Sequence, residues 1–222
     1  MAKKNTEKTC DKVIEKIKLE MMQKHNCHSV ILYGSRARGE YNANSDYDII
    51  AIRKSGEMER DCRVLSGAYL DAFIYSEDYI NNYDISLIRI KDGIVLIQKN
   101  CIGDDLLNNI KTTYANGPQK TPVWEKQEIA VWLYKMLARS KKGDIEGNFR
   151  LHWLLYELLN SYFRLRDLWY LGPKEGFTWL KENDSDIYRD FDFALMPGSD
   201  IINLENLINR ILKYGPPLHD NY

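Results

Sequence analysis

A chain of 222 residues, 44% hydrophobic and 28% charged, is sized for one large domain or two small ones around a sizeable core. Its 31 Lys and Arg against 32 Asp and Glu leave a formal net charge of −1, which argues against a protein built to grip long nucleic acid by its phosphates. No apolar stretch approaches the ~20 residues of a membrane span and no signal-type hydrophobic segment follows Met1, so a cytoplasmic protein is expected, with free thiols at Cys10, Cys27, Cys62 and Cys101.

The basic start (Lys3, Lys4, Lys8, Lys12) reads as a solvated helix start. Residues 7–24 alternate Lys and Glu with Val13, Ile14, Ile17, Met21 and Met22 at helical spacing, which predicts an amphipathic helix. His25, Cys27 and His28 lie at the helix-to-strand junction without further ligands at zinc spacing, so a metal reading there is set aside. Ser29 to Tyr33 is β-branched and apolar and predicts a buried strand ending at Gly34. Gly34-Ser35-Arg36-Ala37-Arg38-Gly39 then forms a glycine-rich turn, in which glycine lets the backbone approach a ligand closely. Ser35 offers a hydroxyl and Arg38 a planar guanidinium to a phosphate, whereas Arg36 reads as a surface arginine. Tyr47 to Ile52 is a second strand, and alternation along it turns Asp46 and Asp48 to the same side, about 6–7 Å apart. Two carboxylates so placed suit a pair of shared metal ions.

Arg53 to Arg63 is charged, contains Gly56, and reads as a loop or frayed helix. Ala68 to Tyr75 is an apolar strand whose single charge, Asp71, needs a metal or a cationic partner if it is buried. Ser76 is placed to cap a short helix through Tyr83, and Ile85 to Ile90 reads as a strand or helix end. A short strand at Gly93 to Gln98 and a helix over Asp104 to Thr113 follow. Tyr114 to Pro122, with two prolines and a glycine, breaks regular structure. Beyond it Trp124 to Lys142, Phe149 to Tyr170, Phe177 to Glu182 and Asn203 to Tyr214 are helical in period. The expected architecture is α+β: a mixed-sheet domain over residues 1–117 and an all-α bundle over residues 118–222.

Gly34-Ser35, Arg38-Gly39 and Ser45-Asp46-Tyr47-Asp48 resemble the signature of the polymerase-beta-like nucleotidyltransferase superfamily. With the strand carboxylate Asp71, the matched elements span about residues 29–75. The order of a mixed-sheet domain and a helical one also resembles the bacterial antibiotic nucleotidyltransferases of the kanamycin type, whose helical domain closes the cleft. The resemblance implies in-line transfer of a nucleotide, AMP from ATP, onto a hydroxyl of a small acceptor such as an aminoglycoside-like antibiotic, with release of pyrophosphate. It assigns Asp46, Asp48 and Asp71 to two magnesium ions and to catalysis, and Gly34, Ser35 and Arg38 to the triphosphate. Where kanamycin-type enzymes place a glutamate base and a lysine one turn later, this chain has Lys135 and Arg139. Arg139 replaces the lysine at the nucleotide, while the glutamate is absent. Glu128, on the same helical face, is a substitute base. Glu157, in a polar stripe with Asn160, Ser161 and Arg164, is a second candidate for the acceptor pocket.

Two other functions stay open at this point. One is AMP transfer to a protein, as in antitoxin-type minimal nucleotidyltransferases; the other is a nucleotide-binding module without catalysis. The partners expected are a nucleoside triphosphate and a small-molecule acceptor, with neither membrane nor nucleic acid. Kanamycin-type relatives pair so that two chains build each site, so a homodimer also stays open.

Overall fold

The computed structural model describes residues 11–213, and the predicted features at Lys3, Lys4, Lys8, Cys10 and Tyr214 lie outside them. Two compact units divide at Asn116/Gly117. No helix among the described residues is long and apolar enough to cross a membrane.

The first unit begins with α1 (Lys12–Lys24), capped by Asp11, whose carboxylate accepts from the Val13 N–H at 2.9 Å. β1 (Cys27–Tyr33) follows, then a single helical turn, α2 (Gly34–Arg38), where the spacing predicts only a turn. β2 is Tyr47–Arg53, β3 is Glu59–Leu65 and β4 is Ala68–Ser76. β3 corrects the expectation of a loop over Arg53 to Arg63. It pairs antiparallel with β4 through a two-residue turn whose Ser66 and Gly67 both have positive φ (54° and 82°), the turn geometry that matches strand twist. As an edge strand with both faces largely polar it carries no apolar alternation, so its period is invisible in the sequence.

Ser76 does cap a short helix, α3 (Glu77–Asn81), accepting from the Tyr79 N–H at 3.2 Å. Ile85–Ile90 is a 3₁₀ segment capped by Asp84, β5 is Ile94–Ile97 and α4 is Ile102–Ala115. The sheet order is β3-β4-β2-β1-β5, with β2 and β4 parallel and the other pairs antiparallel. Alternation then sorts the side chains. Val30, Leu32, Tyr47, Ile49, Ala51, Leu70, Ala72 and Ile74 form one face and pack with Ile17 and Met21 of α1. Tyr33, Asp48, Asp71, Phe73 and Tyr75 turn to the other.

The second unit is entirely helical among its described residues: α5 (Val123–Ser140), α6 (Ile145–Leu165), α7 (Pro173–Asn183), α8 (Ser185–Leu195) and α9 (Ile201–Leu212). α6 stops five residues short of the predicted Tyr170, where Asp167 takes positive φ. α8 is absent from the sequence reading although Ile187, Phe191 and Ala194 keep helical spacing and are buried. Leu133, Leu154, Leu158, Tyr162, Phe163, Leu180, Phe191 and Leu207 meet in its core, each worth about 1.5–3 kcal/mol of removed apolar surface.

Candidate functional site

The site starts from register. Asp48 of β2 stands directly opposite Asp71 of the parallel β4, and Tyr33 of β1 stands opposite Asp48 on the other side. Neighbouring strands are about 4.8 Å apart, so the two carboxylates leave adjacent backbones on one face. Gly34 sits at the end of β1 with φ +71°, and a Cβ there would fall 2.2 Å from Asp48 Oδ2. Glycine is required twice at this position, for the backbone sign and for the approach of the carboxylate.

Burial is the largest influence on Asp48, and it raises the carboxyl above the ordinary range. The charges of Asp46 and Asp71 push the same way, while Arg89 and Arg38 oppose them. Tyr33 beneath is pushed up to about 12, chiefly by burial. Asp46 and Asp71 are thus both electrostatic neighbours of Asp48. Among the described residues no group of three His, Cys, Asp or Glu is close enough to form a ready metal cage. The chemistry of the donors fits a magnesium ion nonetheless: hard carboxylate oxygens, mutually repelling, one of them half-buried.

β2 begins at Tyr47, as expected, and Asp46 lies exposed just ahead of it, at the end of the preceding loop. Arg36, read from the sequence as a surface arginine, holds that loop. Its Nη2 donates to the Ser45 carbonyl at 2.8 Å and its Nε to the Asp46 carbonyl at 3.1 Å. Its guanidinium stacks 3.8 Å from the Tyr47 ring centroid and 4.9 Å from that of Tyr41. Tyr47 in turn donates to Asp11 at 2.7 Å, tying the loop to the start of α1. Arg36 therefore positions Asp46 without touching it through its own carboxylate. Arg36→Ala is expected to lower any activity that depends on Asp46 about 10- to 100-fold, with about 1 kcal/mol lost in stability. Paired rate and urea-unfolding measurements check this, and equal proportional losses would deny the positioning role.

Ser35 is in the second position of α2, half-buried beside Gly34. Arg38 ends that turn; its Nε donates to Glu40 at 3.0 Å, and its charge also reaches Asp48. Two further basic residues of the face went unread in the sequence. Arg60 of β3 forms a two-point ion pair with Asp71. Arg89 of the 3₁₀ segment lies 5.0 Å from the Phe73 ring centroid and 5.8 Å from that of Tyr33. As the lone charge in Ile85–Ile90, Arg89 carried the same signal that singled out Asp71.

The helical unit gathers a second cluster. Glu125, Glu128 and Trp132 of α5 and Trp153, Glu157, Asn160, Ser161 and Arg164 of α6 line a cavity of about 370 Å³. Arg164 pairs with Glu125. Glu128 and Glu157, the two acceptor-pocket candidates, both line it and hold no ion pair among the described residues. The rings of Trp132 and Trp153 meet edge to face at 5.8 Å. Arg139 is exposed in the last turn of α5, three turns beyond Glu128, and does not line this cavity.

Residues 15–108 match the family described as Polymerase beta, Nucleotidyltransferase. Among solved structures, a nucleotidyltransferase-like protein from Exiguobacterium sibiricum 255-15 is 14% identical, with 91% of this chain and 77% of that one covered at a TM-score of 0.40. No curated protein matches the chain.

Proposed function

From the premise that residues 15–108 form a nucleotidyltransferase domain of the polymerase-beta type, we propose that the protein transfers a nucleotide, AMP from ATP, onto a hydroxyl of a small cationic acceptor. The observation that carries this reading is the placement of Asp48 in register with Asp71 and hard against Gly34. A half-buried carboxylate facing two others is costly unless a multivalent cation arrives to share. Asp46, Asp48 and Asp71 would hold magnesium, which supplies neutralisation of the triphosphate and a lowered pKa for the attacking hydroxyl. Gly34 and Ser35 admit the phosphates close to the backbone, and Arg38 and Arg89 offer positive charge to them. Holding the triphosphate in line is most of the task, because its crowded charges repel a nucleophile.

The acceptor is assigned to the α5–α6 cavity of the helical unit. Three glutamates against one arginine leave that cavity net negative, and two indole rings suit a cation over their faces. An amine-rich molecule of the aminoglycoside kind has the charge and the hydroxyls this requires. Glu157 pairs with an acceptor amine, and Glu128 is the candidate base for the hydroxyl.

Calorimetry with Mg–ATP tests the nucleotide half. Binding that disappears in Asp46→Asn/Asp48→Asn is the expected result, and folded wild-type protein that binds no triphosphate would sink it. For the acceptor half, quenching of tryptophan fluorescence by kanamycin is the probe. Glu157→Gln is expected to weaken that binding about tenfold or more while leaving Mg–ATP affinity unchanged. An unchanged kanamycin affinity removes the cavity from the reading.

A further inference from the structure

Asp71 is already engaged. Arg60, on the edge strand β3 and directly opposite Phe73, reaches along the face to both oxygens of the carboxylate. Its Nε donates to Oδ1 at 2.8 Å and its Nη2 to Oδ2 at 2.9 Å, a fork-on-fork pair. The same guanidinium lies 4.9 Å from the Phe73 ring centroid, and Arg89 approaches that ring at 5.0 Å from the 3₁₀ segment. One aromatic ring thus carries two guanidiniums beside one carboxylate. The charge of Arg89 reaches Tyr75, and Arg89 has no ion pair among the described residues. Asp71 is the one carboxylate that pairs with Arg60 among them.

We propose that Arg60 is a removable counter-ion for Asp71. It neutralises the third carboxylate in the free protein and yields it to the cation that accompanies the nucleotide. It then turns its donors, beside Arg89, to the anionic oxygens of the phosphates. This rests on the nucleotidyl-transfer reading of the same face. The physical argument is competition: a guanidinium on both carboxylate oxygens takes half of their lone-pair sites and offsets the charge that would draw a cation in. Release is cheap, because the Arg60 side chain is 54% exposed and water takes over its hydrogen bonds. The ring of Phe73 keeps the released guanidinium near the site. Arg60 is therefore a positioning residue that sets how readily the third carboxylate accepts metal.

Manganese(II) alone, with no nucleotide, is the probe, its free concentration read by electron paramagnetic resonance on the full chain. Arg60→Met is expected to bind the ion about two- to fivefold tighter than wild type, the range of an exposed ion pair. Arg60→Lys is expected to bind it tighter too, since an ammonium keeps the charge but cannot bridge both oxygens. Inorganic triphosphate at saturating magnesium is expected to bind Arg60→Met several-fold more weakly than wild type.

Manganese affinity unchanged or weakened in Arg60→Met overturns the proposal. So does tightening in the Met variant with none in the Lys variant, which would mark a bare charge effect, and so does undiminished triphosphate binding. A wild type that binds manganese and loses it in Asp48→Asn, with Arg60→Met unchanged, removes the counter-ion role and leaves the nucleotidyl-transfer reading intact. Folded wild type and variants that all fail to bind manganese overturn both together.

Discussion

Asp48→Asn is expected to abolish nucleotidyl transfer while making the N-terminal unit more stable. The loss should be about a thousandfold or more, since a carboxylate proposed to hold magnesium is replaced by a neutral amide in a site proposed to work by charge. The gain follows from the electrostatics of the free protein. Burial, Asp46 and Asp71 all penalise the ionised form of Asp48, so its carboxyl titrates above the ordinary value near 3.9. Between those two values the folded state binds more protons than the unfolded one, and stability falls as pH rises through that window. Above it the charged carboxylate is a constant cost, which asparagine removes. The melting temperature of Asp48→Asn should therefore exceed that of wild type at neutral pH, by roughly 2–5 °C for each kcal/mol in a unit of this size. The gap should narrow as pH falls towards about 4 and close below it, where both states of the wild type carry the proton. Thermal melts of both proteins from pH 4 to 8 in EDTA measure this, and a variant no more stable at pH 7 contradicts the electrostatic account. Transfer retained above a tenth of wild type would remove Asp48 from the chemistry.

Gly34→Ala should be nearly as damaging, for a reason that lies in the same carboxylate. At φ +71° an L side chain costs about 1–3 kcal/mol. The added Cβ would also stand 2.2 Å from Asp48 Oδ2 and 3.1 Å from its Cγ, so the carboxylate must swing away. Displacement of a reacting group by an ångström costs about a hundredfold in rate, and that is the expected loss. Urea unfolding of wild type, Gly34→Ala, Asp48→Ala and the double variant separates the two causes. The backbone cost persists in the Asp48→Ala background, whereas the clash does not. A coupling of about 1 kcal/mol between the two sites is expected; additive losses would mean that close approach is not what glycine serves here.

What the sequence made legible follows from what periodicity can carry. β1, β2 and β4 lie in the middle of the sheet and are apolar on both faces, so Val30 to Leu32, Ile49 to Ile52 and Ala72 to Ile74 read as strands. A charge inside such a run, Asp71, draws the eye for the same reason. β3 has Glu59, Arg60, Asp61 and Arg63 satisfied by neighbours on both sides, His25 and Arg53 among them, and gives no alternation to read. Register escapes a single sequence altogether: nothing in residues 48 or 71 says that they stand opposite one another. Arg36 was misread because its role depends on two rings and two carbonyls that come from Tyr41, Ser45, Asp46 and Tyr47. Glu128 and Glu157 were nominated separately, on α5 and on α6, and the packing of those two helices puts them in one cavity.

The parallel pairing of β2 with β4 has a consequence for how the protein wears out. The spacing of Asp48 and Asp71 is written into backbone hydrogen bonds at the centre of the sheet, between segments distant in sequence. Local opening of a surface loop leaves that spacing untouched; it is lost when the sheet itself comes apart. Asp46 hangs on a loop held by the Arg36 guanidinium and by the Tyr47–Asp11 hydrogen bond, not by the sheet ladder, and it can loosen while the sheet stands. Mild heat or dilute denaturant should therefore blunt the site before it unfolds it, leaving a folded protein with two aspartates in place and the third astray.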